Sequence, residues 1–200
     1  MNASELIAKY DLLVAPKFFD DSTCQEIIEQ LVGSASTPAT VYGASESGAV
    51  DERVRRTSRL TPSQTTLEFV TRRLLEYKET IEQHFRISLT DCEAPQFLRY
   101  NVGDFFVAHQ DGNTGMLRLT TDATRKISIT IFLNAQSNEQ LGGSYRGGSL
   151  KFSNYRADKE YREFELPSEP GLLVAFRSEL THEVTPVTNG ERYSIVNWYR

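Results

Sequence analysis

Past Ser88 the apolar residues stop recurring every third or fourth position and begin to alternate with polar ones, a switch of period that constrains the fold more than any other feature of the chain. Successive side chains of a strand point to opposite faces, so a period of two buries one face and wets the other. The runs Gln96 to Tyr100, Asp104 to His109, Lys126 to Leu133, Gly148 to Phe152, Tyr161 to Leu166, Gly171 to Phe176, Thr181 to Val187 and Arg192 to Trp198 each read as a strand. Turn residues separate them, as at Thr188-Asn189-Gly190. Eight short strands joined this way predict a mainly β chain, a sandwich or barrel of the jelly-roll type.

The first half carries helical signals. Asp20, Asp21 and Ser22 offer side-chain oxygens to the free N–H groups of a helix start, and Cys24, Ile27, Ile28 and Leu31 follow at helical spacing. This predicts a helix over Ser22 to Val32, with a short buried strand at Leu12 to Ala15 ahead of it. Thr61-Pro62-Ser63-Gln64 starts a second helix, with Thr61 as cap, Pro62 at the first helical position and Gln64 closing a capping box. Leu67, Val70, Leu74, Tyr77, Ile81 and Phe85 make one apolar stripe, so this helix reaches about His84 and lies against the sheet. Gly33 to Arg59 has no clear period and ends in Arg53, Arg55, Arg56 and Arg59, which predicts a long loop. Gly112 to Arg125 and Ala135 to Gly147 are two further expected loops.

Two hundred residues, 39% hydrophobic and 24% charged, suit one domain over 1–200, with helical support and a loop over 1–88 and a strand-rich core over 89–200. A net charge of −5 argues against phosphate-driven binding to nucleic acid. Cys24 and Cys92 are too few for a disulfide scaffold, so free thiols in a reducing compartment are expected. The start lacks a basic segment followed by an apolar run, and no window approaches the ~18 apolar residues of a membrane span. The expectation is a cytoplasmic protein.

The chain has three histidines, and two carry the chemistry. In His109-Gln110-Asp111 the first and third residues of a predicted strand end share a face, so an imidazole and a carboxylate can converge on one ion. His182 is the obvious third ligand. Two imidazoles and one carboxylate on one face of an octahedron leave adjacent positions open, the non-haem Fe(II) oxygenase arrangement, whereas zinc prefers a closed tetrahedron or three ligands and a water. Arg192 follows the turn at Thr188-Asn189-Gly190 and is placed on the strand neighbouring His182. A buried guanidinium needs an anion and is suited to grip a carboxylate with two bonds. Metal at one end and arginine at the other describe a pocket for a chelating dicarboxylate. Ser194 faces the same way and adds a hydroxyl.

With these residues in place the chain resembles the Fe(II)/2-oxoglutarate-dependent dioxygenases, specifically their prolyl 4-hydroxylase-like branch. The segments that carry the resemblance are R-Y-N-V-G-D-F-F-V-A-H-Q-D (99–111), I-T-I-F-L-N (129–134), G-G-S-L-K-F (147–152), P-G-L-L-V-A-F (170–176) and H-E-V-T-P-V-T-N-G-E-R-Y-S-I-V-N-W (182–198), with F-F-D-D-S-T-C-Q-E-I-I (18–28) ahead of them. The resemblance implies a double-stranded β-helix in which His109, Asp111 and His182 ligate Fe(II) and Arg192 holds the distal carboxylate of 2-oxoglutarate. It further implies that Tyr100 hydrogen-bonds the same cosubstrate and that Gly103 forms the turn between two strands. Phe106 and Ile131 depart from the pattern, since many relatives have tyrosine at the first position and some at the second, which makes Tyr100 or Ser194 the hydroxyl partner of Arg192. The implied reaction consumes O2 and 2-oxoglutarate, with ascorbate as accessory reductant, releases succinate and CO2, and hydroxylates a C–H bond, first of all of a prolyl residue in a peptide or protein.

Two alternatives stand beside it. One is a hydroxylase of a free amino acid or small metabolite. The other is a non-enzymatic jelly-roll binding module stapled by a metal, against which Arg192 weighs. Trp198 reads either as a substrate contact or as a core residue, and Arg53, Arg55 and Arg56 either line the mouth of the pocket or form a solvated face.

Overall fold

The apolar alternation finds two different neighbours for the two faces of one large sheet. A computed structural model describes residues 3–41, 49–112, 124–139, 142–153 and 163–200. In chain order they form α1 (Ala3–Lys9), β1 (Leu13–Ala15), α2 (Asp21–Leu31), β2 (Ser36–Pro38), β3 (Arg55–Arg56), β4 (Ser58–Leu60), α3 (Gln64–Phe85), β5 (Gln96–Tyr100), β6 (Phe105–His109), β7 (Ile127–Phe132), β8 (Arg146–Gly147), β9 (Leu150–Ser153), β10 (Glu163–Leu166), β11 (Leu173–Arg177), β12 (His182–Val184), β13 (Val187–Asn189) and β14 (Arg192–Tyr199). A seven-stranded sheet runs β1-β11-β7-β14-β5-β4-β2 and a five-stranded sheet β10-β9-β12-β6-β3, with β13 and β8 as a separate pair. The chain is mainly β, with helices toward the N-terminus, in the double-stranded β-helix arrangement.

On the outer face of the larger sheet Ile127, Ile129 and Ile131 of β7, Leu173 and Ala175 of β11, and Tyr193, Ile195 and Tyr199 of β14 share one core with Ile27 and Leu31 of α2 and Val70, Leu74, Ile81 and Phe85 of α3. Tyr199 adds a polar tie, its hydroxyl donating to the Leu74 carbonyl at 2.6 Å. The residues between them on the same strands, Phe132, Val174 and Phe176, turn inward and meet Leu150 and Phe152 of the smaller sheet. Inward too lie Leu98 and Tyr100, which pack with Val184 and Val187.

Several boundaries differ from the sequence reading, each for a local reason. The α3 cap is Ser63, not Thr61: Ser63 Oγ accepts from the Thr66 N–H, while the Thr61 N–H bonds the Ala35 carbonyl at 2.9 Å and so extends the β4 edge. The α2 cap is Asp20, which accepts from the Thr23 N–H at 2.8 Å. The expected loop Gly33 to Arg59 instead supplies β2, β3 and β4, with β4 paired to β5 and β3 to β6; its residues 42–48 lie outside the described residues. The run Thr181 to Val187 splits into β12 and β13, because Pro186 has no N–H to continue a ladder. Part of the expected loop Ala135 to Gly147 is β8, the partner of β13. Residues 113–123, most of the third expected loop, and 161–162 of the expected fifth strand lie outside the described residues. The helix α1 had no expectation.

The turn Pro170-Gly171 joins the N-terminal segment to the sheet. Gly171 has φ +75°, its N–H donates to the Phe132 carbonyl at 2.8 Å, and an added Cβ would lie 1.8 Å from the Phe19 carbonyl oxygen. Gly33 has φ +78° with open space around it. Gly33→Ala should therefore cost about 1 kcal/mol from backbone conformation alone, and Gly171→Ala roughly 3 kcal/mol or more, because the backbone of Phe19 must also move. Urea unfolding of the two variants checks the difference; equal losses would mean that Phe19 does not clamp the turn.

Candidate active site

Register brings the two histidines together. β12 pairs antiparallel with β6 so that His182 stands opposite His109, and their ring centres are 4.3 Å apart. Each ring is fixed by its Nδ1, which lies 2.8 Å from the Val107 carbonyl oxygen in His109 and 2.9 Å from that of Leu180 in His182. A carbonyl only accepts, so Nδ1 carries a proton in both rings and Nε2 is the atom left to face a metal. Asp111 meets both: Oδ1 is 3.4 Å from His109 Nε2 and Oδ2 is 3.4 Å from His182 Nε2.

Asp111 does not reach this position by strand alternation, as the sequence reading has it. β6 ends at His109, and Asp111 lies in a bend where the Ser178 carbonyl accepts from the N–H groups of Asp111, at 2.9 Å, and Gly112, at 2.8 Å. Gly112 makes the bend possible, since an added Cβ would lie 2.7 Å from both the Arg125 carbonyl oxygen and Ser178 Cβ.

One ligand atom from each of His109, Asp111 and His182 lies within 4.8 Å of the others, a group able to hold a metal ion. Burial, and then the nearby His182 ring, push the His109 imidazole below its ordinary value, so it is neutral near pH 7. Burial alone would raise the Asp111 carboxyl, but the two imidazoles prevail and hold it well below the usual carboxylate range. The two Nε2 atoms and the carboxylate thus face one another across a gap that a divalent cation fits, and the carboxylate and the His109 imidazole are already in the deprotonated form that a metal requires.

Arg192 is 1% exposed. It is not on a strand beside His182, since β14 belongs to the larger sheet and β12 to the smaller one, and the two look at each other across a cavity. Its Nη1 donates to Ser194 Oγ at 2.8 Å, its guanidinium lies over the rings of Tyr100 (5.0 Å) and Phe132 (5.3 Å), and its Nε has no partner among the described residues. No acidic side chain pairs with it there. A guanidinium so deeply buried without a counter-ion is costly, and a small dicarboxylate reaching across to the metal ligands suits it. Ile131 lies in the outer core at 0% exposure, so a hydroxyl at that position would not reach Arg192. Phe106 stacks on His109 with ring centres 3.6 Å apart.

The cavity also takes in residues that the sequence reading passed over or left open. Gln96 and Thr130 line it, and the parity they share with Tyr100 and Phe132 on their strands is the signal that would have found them. Trp198 lines it with Arg125, whose guanidinium lies 3.8 Å from the Trp198 ring and bonds Glu93 twice at 2.7 Å. Asn134 acts outside it: its amide donates to the carbonyls of Gly143 and Glu191 and its oxygen accepts from the Tyr193 N–H, which pins the turn leading into Arg192. Of the three arginines read either as lining the mouth or as a solvated face, Arg55 lines the cavity, while Arg53 pairs with Asp51 and Arg56 with Asp104.

Protons compete with a metal for Nε2, so affinity falls as pH drops through the imidazole pKa. Because burial and the neighbouring ring lower that of His109, the part of the Mn(II) affinity that His109 supplies should stay level between about pH 7 and 8 and be lost only at lower pH than for a free imidazole. His109→Ala should weaken Mn(II) by about 100-fold. Titration of bound Mn(II) by electron paramagnetic resonance checks both; a steep loss already between pH 8 and 7 would contradict the neutral imidazole.

Comparison with known proteins agrees with this geometry. The family model described as the 2OG-Fe(II) oxygenase superfamily matches residues 95–200, more than half of the chain. A PKHD-type hydroxylase of Synechococcus sp. (strain CC9605) is 33% identical over 100 residues, covering 50% of this chain and 38% of the relative. The chain spans about two fifths of the length of the first such relatives it matches. Two solved structures share the fold: a Pseudomonas putida prolyl-4-hydroxylase (TM-score 0.70, 23% identity, 98% of this chain and 95% of that one) and a Trichoplax adhaerens prolyl hydroxylase in complex with a hypoxia inducible factor peptide fragment (TM-score 0.71, 16% identity, 98% and 86%). With its paired histidines, bridging carboxylate and buried arginine inside a double-stranded β-helix, the chain belongs to the 2OG-Fe(II) oxygenase superfamily.

Proposed function

We propose that the chain hydroxylates an aliphatic C–H bond, with Fe(II) held by His109, Asp111 and His182 and 2-oxoglutarate held by Arg192. The single observation that carries this reading is the meeting, in one cavity between opposing sheets, of a His-Asp-His group able to hold a metal and a buried guanidinium with no acidic partner among the described residues. When bound, the iron and cosubstrate supply the oxidising chemistry: one oxygen of O2 enters the substrate as hydroxyl, the other enters succinate, and CO2 leaves.

The chain's own residues hold and orient. Val107 and Leu180 fix the tautomer that aims both Nε2 atoms at the ion. Ser194 and Tyr100 set the plane of the Arg192 guanidinium so that it can take the far carboxylate of 2-oxoglutarate with two bonds. Phe106, Leu150 and Val184 add apolar surface to the cavity lining, and a less polar surrounding strengthens that ion pair. A metal-stapled binding module has no use for Arg192, so this reading excludes it.

For the substrate we take a prolyl residue of a peptide or protein. Supporting this, relatives are PKHD-type hydroxylases, and the two solved structures compared above are prolyl hydroxylases, one in complex with a peptide fragment. A cytoplasmic setting belongs to the same reading. Its support is the pair of free thiols, Cys24 and Cys92, and among the described residues no helix is long and apolar enough to cross a membrane.

Purified protein supplied with Fe(II), ascorbate and 2-oxoglutarate should release succinate, and His109→Ala should abolish the release. Arg192→Met should raise the 2-oxoglutarate concentration needed by about 30-fold or more, as expected when one partner of a buried charge pair is removed. Mass spectrometry of a proline-containing peptide library should show products heavier by one oxygen atom. Equal succinate release by the native protein and His109→Ala would overturn the proposal.

A further inference from the structure

Arg55 is a second buried guanidinium in the same cavity, and nothing in the reaction described so far uses it. It stands on β3, the edge strand of the smaller sheet, in register with Phe106. It is 8% exposed and lines the cavity with His109 and Asp111. Its Nη1 donates to the Thr40 carbonyl at 3.2 Å, and its guanidinium carbon lies 4.7 Å from the centre of the Phe106 ring. Its Nε has no partner among the described residues. No acidic side chain pairs with it there, in contrast to Arg53 and Arg56 on either side, which have Asp51 and Asp104.

The charges in the cavity leave Arg55 over. Asp111 is spent on the two histidines, Arg125 has Glu93, and Arg192 is assigned to the cosubstrate. One carbonyl and one aromatic face do not neutralise a guanidinium taken out of water. Phe106 also stacks on His109 at 3.6 Å, so a single ring separates the Arg55 guanidinium from a proposed metal ligand.

We infer that Arg55 receives a carboxylate of the substrate, so that the compound oxidised is an anion. This deepens the hydroxylation proposed above and rests on its Fe(II) and 2-oxoglutarate site; a free amino acid as source would replace the peptidyl substrate taken there. The carboxylate comes from one of two sources: the α-carboxylate of a free amino acid, or an acidic side chain beside the oxidised residue of a peptide. Arg55 fixes which C–H bond faces the metal by holding that group, and a neutral substrate would leave a buried charge unpaired.

Isothermal titration of the protein loaded with Mn(II) and 2-oxoglutarate tests this with L-proline, L-prolinamide and a terminally blocked peptide carrying glutamate beside proline. At least one of the two carboxylate probes should bind, with prolinamide about tenfold or more weaker than proline if the free amino acid is the source. Arg55→Gln should abolish the advantage of the carboxylate, and Arg55→Lys, which keeps the charge, should retain part of it, a rescue that a packing defect would not show. Binding of L-proline assigns the α-carboxylate as source, and binding of the blocked peptide alone assigns the acidic side chain. Failure of 2-oxoglutarate itself to bind the Mn(II) protein overturns the proposed function and this inference with it. Intact 2-oxoglutarate binding overturns this inference alone if neither carboxylate probe binds, or if Arg55→Gln binds them as well as the native protein.

Discussion

Ladder hydrogen bonds between β12 and β6 place His182 opposite His109, and the remainder of the site is arranged around that pairing. A register slip of one residue would turn His182 to the other face of its sheet and leave one imidazole looking across empty space. The register is held from the far side as well, where β12 pairs with β9 and puts His182 against Phe152, at the centre of the inner core. The two imidazoles are thus as rigid as the strands that carry them, and the energy that fixes them is the burial of the phenylalanines and leucines between the sheets.

Facing that pairing, the larger sheet uses its inner surface for polar groups at one end and apolar groups at the other. Phe132, Val174 and Phe176 fill one half, and Gln96, Thr130, Arg192 and Trp198 line the other. Helices α2 and α3 cover the outer surface with an apolar layer. This division lets a polar cavity exist inside a small domain, because the outer core supplies the stability that the inner end gives up.

Much of this was legible in the sequence, and what was not has physical reasons. Period two located the core strands β5, β6, β7, β11 and β14 to within about two residues, although β7, β11 and β14 are buried on both faces, alternate residues entering the outer core and the space between the sheets. It missed β2, β3 and β4, which are two or three residues long, too short to show a period. His109, Asp111, His182 and Arg192 were identifiable by residue type and by resemblance, and the structure brings all four to one cavity. The route differed: alternation was credited for Asp111, whereas the Ser178 carbonyl delivers it, a contact between residues far apart in the chain that no local pattern encodes. The same limit hid Arg55, one of a run of arginines whose neighbours are paired with acids, because partners across a sheet decide which charge is solvated and which is buried.

The bend at Asp111 gives the three candidate ligands unequal stiffness. Both imidazoles are braced by strand ladders and by a carbonyl on Nδ1. The carboxylate hangs from two N–H bonds to one oxygen of Ser178, itself anchored by a hydroxyl contact with Ser128 at 2.9 Å. It can swivel about its own side-chain torsions without breaking a rung of either sheet. Any change in coordination number as small molecules enter and leave would be absorbed by the acid, a compliant third leg on an otherwise stiff tripod.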